Sequence, residues 1–337
     1  MREALLYERT NNDGVHCFLC RHRCKIDSGK TGICCVRKNY DGTLRTLVYD
    51  KIVSTNIDPI EKKPLFHFWP GTASFSIATV GCNFQCSFCQ NHSISQMPRE
   101  QGRVIGEPYS PEEIAEMAVR NLCKTVSYTY TEPTIYYEFA KDTMKAAHDR
   151  GLLNVWVTNG YMTPEMLEDA KGLIDAANVD LKAFNDHFYL HYCRARLDGV
   201  LDSLKIMKSM GIWIEVTTLL IPTLNDNLEE LARLAHFIKS NLGSETPWHV
   251  SRFYPRYKEQ GIPPTEVEML RSVRALGMDA GLEFVYTGNV PGEEGEKTLC
   301  PECSNPVIER IGYRLKTRTR EGGDCPDCGH RIPGHGM

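Results

Sequence analysis

Residues 73–91 read ASFSIATVGCNFQCSFCQN: an apolar run of strand character, a glycine, then Cys82, Cys86 and Cys89 in quick succession. The run 73–80 suits a strand buried on both faces, so the cysteines fall in the loop that leaves its carboxyl end. A disulfide takes two cysteines, and a closed tetrahedral zinc site or an ordinary iron–sulfur cube takes four ligands. Three thiolates in one tight loop point to a metal centre left one ligand short.

Outward from this loop, strand and helix patterns alternate. Strands are predicted at 125–132 (TVSYTYTE), 154–160 (NVWVTNG), 177–182 (ANVDLK), 212–222 (IWIEVTTLLIP), 247–255 (PWHVSRFYP) and 282–288 (LEFVYTG). Between them lie helical patterns. Ser110, Pro111 and Glu113 form a capping-box start, Thr163 and Pro164 open another helix, and NDNLEELARLAHFIKSNLG is amphipathic. This alternation predicts an α/β fold, a partial or complete (β/α) barrel, with a doubly wound open sheet as the alternative. A barrel gathers its reactive residues where strands end. Thr131 and Glu132, Thr158 and Asn159, Asp180 and Lys182, and Thr217 and Thr218 stand near such ends, with His249 and Arg252 in the strand that follows.

Composition bounds the rest. The 337 residues are 42% hydrophobic and 24% charged with a formal net charge of −4, the balance of a globular enzyme with no basic field for nucleic acid. No apolar run reaches the ~20 residues of a membrane span. The opening MREALLYERTNNDG has no signal-peptide core, so a cytoplasmic location and no membrane partner are expected.

Fourteen cysteines in a reducing compartment suggest metal rather than disulfides. Cys300, Cys303, Cys325 and Cys328 form two C-x2-C knuckles around a strand-rich span, the pattern of a zinc ribbon. Cys17, Cys20, Cys24 and Cys34 make a four-thiolate set, with Cys35 spare; spacing leaves zinc and a second [4Fe–4S] cluster both open, zinc being preferred. Cys123 and Cys193 stand apart and read as packing residues. Three regions follow: a Cys-rich metal module with its lead-in at 1–70, a barrel core at 71–292, and a zinc-ribbon module at 293–337.

The C-x3-C-x-aromatic-C spacing of Cys82, Cys86, Phe88 and Cys89 resembles the signature of the radical S-adenosylmethionine enzymes. The resemblance implies a [4Fe–4S] cluster whose fourth iron binds S-adenosylmethionine through its amino and carboxylate groups. It further implies one-electron cleavage to methionine and a 5′-deoxyadenosyl radical that abstracts hydrogen. Thr131 and Glu132 then stand where the family has a Gly-Gly-Glu-like segment. Thr158 and Asn159 match a Thr-Asn-Gly segment in which Val157 replaces an Asp, and Asp180 and Lys182 match an Asp-x-Lys segment. His249 is matched to a late-strand His near the cofactor. The segments CFLCRHRCKIDSGKTGICCVRKN, DPIEKKPLFHFWPGT, YTYTEPTIYYEF and VDLKAFND resemble the AmmeMemoRadiSam-system group, which is similar to pyruvate formate-lyase activating enzymes. The implied partners are an external one-electron donor of flavodoxin or ferredoxin type and a protein substrate offering a backbone glycine, gripped by the flanking metal modules. A small metabolite or RNA is the alternative substrate, and a non-enzymatic iron–sulfur electron carrier the alternative class.

Overall fold

The computed structural model describes residues 1–290, 292, 294–312 and 314–337. One eight-stranded sheet carries the molecule. Its strands are Ser54–Pro59 (β1), Ala73–Ala78 (β2), Thr125–Tyr128 (β3), Leu153–Thr158 (β4), Ala176–Asp180 (β5), Trp213–Leu220 (β6), Trp248–Arg252 (β7) and Val285–Gly288 (β8). They lie side by side in chain order, antiparallel between β1 and β2 and parallel from there on. A doubly wound sheet would reverse its strand order at a switch point. None occurs here, so the chain winds one way as in a (β/α) barrel. Among the described residues β1 and β8 do not pair, so the barrel stays open.

The helices follow their local chemistry. Pro111–Arg120 starts in the predicted capping box, with the Glu113 amide donating to Ser110 Oγ at 3.1 Å and the Ser110 amide to Glu113 Oε2 at 2.7 Å. Thr163 caps Pro164–Asp169, and Asn227 caps Leu228–Leu242. Two strands end earlier than their patterns suggest. Tyr130 takes a left-handed φ of 63°, which turns the chain out of β3 before Glu132, and β5 stops at Asp180.

The division at residue 70 does not follow the sheet, because Ser54–Pro59 is its edge strand. The segment after it, residues 60–71, folds under the strands' amino ends and plugs the barrel from below. Glu215 at the start of β6 accepts the Phe66 amide at 2.9 Å and the His67 amide at 2.8 Å. Phe66, Phe284 and Tyr286 then pack with Val307, Ile308 and Ile332 of the carboxyl-terminal module. That module is a three-stranded antiparallel sheet, and it sits on the barrel floor, opposite the cysteine loop. The amino-terminal module docks at the other end: the Arg21 amide donates to Tyr161 O at 3.0 Å, and Thr163 Oγ1 to Phe18 O at 2.7 Å.

Candidate active site

β2 delivers the chain to Gly81, whose φ of +106° suits glycine. A Cβ there would come within 2.8 Å of Val36 Cγ1, so the loop is pressed against the amino-terminal module. The next residues carry three sulfurs into a cavity of about 450 Å³ at the strands' carboxyl ends. Two of the sulfurs meet a hydrogen-bonding partner: the Phe84 amide donates to Cys82 Sγ at 3.3 Å, and Ser95 Oγ lies 3.2 Å from Cys89 Sγ. The influence of the Cys193 thiol holds Cys86 below the ordinary thiol value, whereas burial pushes Cys82 and Cys89 above it. The loop's backbone is tied to the same segment: the Gln85 amide donates to Cys193 O and the Ser87 amide to Tyr192 O. Cys193 is thus a working neighbour of the loop as well as a core residue; its lone position in the sequence gave no sign of this.

Phe88, Thr131, Glu132, Thr158, Asn159, Asp180 and Lys182 all line this cavity with the three cysteines. Glu132 is saturated by its own chain. Its Oε1 accepts from Thr134 Oγ1 at 2.5 Å and Thr158 Oγ1 at 2.7 Å, and its Oε2 accepts the Asn159 amide at 2.8 Å. It therefore braces the ends of β3 and β4 together. Burial nevertheless raises its carboxyl above the ordinary value. Lys182 pairs with Asp180 at 2.8 Å. Burial alone would lower its amine, but the charges of Asp180 and Cys86 carry it upward.

His249 is not in the cavity, and the expectation of a cofactor contact there is corrected. It stands second in β7, near the barrel floor, with Nε2 2.7 Å from Glu215 Oε2 and its ring against Phe66 and Tyr286. Two residues on, Ser251 reaches the cavity. Period-two alternation likewise sends Thr217 into the cavity and Thr218 away, toward Leu181 O at 2.8 Å. Arg252 turns outward to Thr265 O. Sequence reasoning missed Lys62 and Lys63, which line the cavity with the cysteines. Lys63 is buried, bonded to Asp58 at 2.6 Å, and burial lowers its amine to about 8.

The unpartnered donors fit a bound group that brings its own acceptor atoms. Asn83 Nδ2 and Thr217 Oγ1 are buried without partners in the chain, while Asn83 Oδ1 is taken by Asn159 Nδ2 at 2.7 Å. At the far end, Cys300, Cys303, Cys325 and Cys328 lie with their sulfurs all within 4.8 Å, including Cys300–Cys328 at 3.5 Å and Cys303–Cys325 at 3.7 Å. Four thiolates so spaced suit one tetrahedral ion.

Fold and site together define a one-way-wound (β/α) protein with a three-thiolate loop at its carboxyl rim. The model of the radical SAM superfamily matches residues 76–238. An uncharacterized protein of Methanocaldococcus jannaschii is 46% identical over 334 residues, 98% of this chain and 99% of that one. The pyruvate formate-lyase-activating enzyme of Clostridium pasteurianum is 25% identical over 166 residues, 48% of this chain and 67% of that one. A radical SAM methyltransferase from Sphaerobacter thermophilus shares the fold at TM-score 0.52 and 15% identity, across 68% of this chain and 71% of that one. The chain carries a radical SAM domain at residues 76–238. No helix among the described residues is long and apolar enough to cross a membrane.

Proposed function

We propose that this chain is a cytoplasmic radical enzyme in which Cys82, Cys86 and Cys89 hold three irons of a [4Fe–4S] cluster and leave the fourth to S-adenosylmethionine. The observation that carries the reading is the convergence of three sulfurs on one cavity that is also lined by an unpartnered buried donor, Thr217 Oγ1. When bound, cluster and cofactor supply a reductive cleavage that yields methionine and a 5′-deoxyadenosyl radical. The chain's part is to hold and orient. Thr217, which lines the cavity, offers a donor to the cofactor's carboxylate or hydroxyls. Asp180 and Lys182 present an opposed pair of charges to its zwitterionic end, and Phe88 packs against Phe188 beside the loop. Glu132 acts through Asn159, fixing the backbone from which that amide reaches Asn83. Zinc in the carboxyl-terminal module would fasten the barrel floor.

The finer reading is an activating enzyme that takes hydrogen from a glycine of a partner protein, with electrons from a flavodoxin or ferredoxin. It rests on the similarity to the Clostridium pasteurianum activating enzyme. Anaerobic protein with dithionite is expected to convert S-adenosylmethionine to 5′-deoxyadenosine, and Cys86→Ala to lose that conversion. A cluster-loaded wild type that cleaves nothing would overturn the enzymatic reading. A glycyl-radical EPR doublet on a co-purifying protein tests the activase reading; its absence with every candidate partner would remove it.

A further inference from the structure

The two flanking cysteine sets differ in spacing. Among the described residues, the carboxyl-terminal four are the only metal-ligating group whose donor atoms all lie within 4.8 Å. Cys17, Cys20, Cys24 and Cys34 are gathered more loosely. Cys20 lies within the electrostatic reach of the other three, and Cys34 within that of Cys17 and Cys24. The four are not gathered into one such tight group. Cys82, Cys86 and Cys89 show the same combination, mutual reach with wider separation. One zinc ion draws its thiolates together at a bond length of about 2.3 Å. A cube carries each thiolate on a separate iron and so spreads them.

A second observation stands apart from the sulfurs. Arg37 is 2% exposed, and its Nη2 donates to Leu5 O and to Glu138 Oε1. Its Nε and Nη1 have no partner in the chain. After Glu138, the charges that act most strongly on this guanidinium are Cys17, Cys34 and Cys20. Buried N–H groups rarely stay unpaired, so these two face acceptors that the polypeptide does not supply. Inorganic sulfides between the thiolates of a cube are acceptors in that position. A lone zinc ion adds no acceptor beyond the thiolates themselves, which can take an N–H with either metal.

We propose that Cys17, Cys20, Cys24 and Cys34 hold a second [4Fe–4S] cluster, closed by four thiolates, with Arg37 Nε and Nη1 donating to its sulfides. The earlier preference for zinc at this site is thereby reversed. Having no open iron, this cluster does not bind S-adenosylmethionine. Its module abuts the cysteine loop of the barrel: His22 Nε2 lies 2.9 Å from Asn83 O, and Arg99 Nη2 donates to Ile33 O at 2.6 Å.

The test is metal and sulfide analysis with EPR on anaerobically purified full-length protein. Replacing Cys82, Cys86 and Cys89 together by Ala should leave about four irons and about four sulfides per chain. The reduced EPR signal of that variant should not change when S-adenosylmethionine is added. In the reciprocal variant, with Cys20→Ala and Cys34→Ala, iron should fall to about half that of the wild type, and the remaining signal should respond to S-adenosylmethionine. Zinc without sulfide in the triple variant would overturn the proposal, as would unchanged iron in the double variant. Neither measurement needs turnover, so failure here is distinct from failure of the cleavage reading.

Discussion

At Glu132 the carboxylate is spent on Thr134, Thr158 and the Asn159 amide, which makes it a positioning residue. Glu132→Gln sets an amide donor against one of these donors and leaves a buried group unpaired, at about 1–3 kcal/mol. The expected outcome is a lower melting temperature together with weaker S-adenosylmethionine binding, read by calorimetry; an unchanged binding constant would contradict the brace. In the proposed site Cys193 acts on the cluster through Cys86. Removing its thiol in Cys193→Ala takes a polar neighbour from that sulfur and should lower the cluster's reduction potential, with Cys193→Ser recovering part of the shift. The three cysteines were legible because adjacent positions in one loop cannot be far apart in space. His249 was misread because strand depth and register, which place it against Glu215, are set by neighbouring strands rather than by its own flanks.

At the scale of the element, the strand-to-loop corner at Gly81 carries the site. Its φ of +106° and the 2.8 Å approach of Val36 mean that Gly81→Ala strains the backbone and pushes the amino-terminal module away. The variant should fold with reduced stability, and its iron content should drop even though all three cysteines remain. Helix starts were readable from Ser110, Thr163 and Asn227, because capping is a local contest for amide hydrogens. The plug at 60–71 was not readable. Its place depends on Glu215, about 150 positions later in the chain, and no local period encodes such a contact.

In the whole molecule, the barrel floor is a directed chain of hydrogen bonds joining plug, barrel and carboxyl-terminal module. Arg310 donates to Thr298 Oγ1 at 2.8 Å, Thr298 and Tyr286 lie 2.9 Å apart, and Tyr286 donates to His67 Nε2 at 2.6 Å. His67 Nδ1 then donates to Pro333 O, so the neutral ring satisfies both neighbours. Burial lowers His67 to about 4. An unfolded histidine titrates near 6.5, so between those values the unfolded chain binds the extra proton. Stability is therefore full above about pH 6.5 and falls as pH drops toward about 4, by up to about 3 kcal/mol. Urea midpoints measured between pH 7 and 4.5 should fall less in His67→Asn than in the wild type. Stripping metal from the four-cysteine module should loosen the same floor and lower the melting temperature while leaving iron in place. The parallel β–α build was legible from the alternation of patterns; the single winding was not, because a doubly wound sheet shows the same alternation. The opposite placement of the two metal modules was not, because it rests on contacts between distant segments.

The central claim is an iron that the polypeptide leaves free for the cofactor, and electron–nuclear double resonance on the reduced triple N-terminal variant, with Cys17, Cys20 and Cys34 replaced by Ala, addresses it directly. With S-adenosylmethionine labelled at its amino nitrogen and carboxylate oxygen, hyperfine coupling of both labels to the cluster is predicted. Saturating cofactor with no coupling to either label would show that fourth position already filled, and would contradict the account.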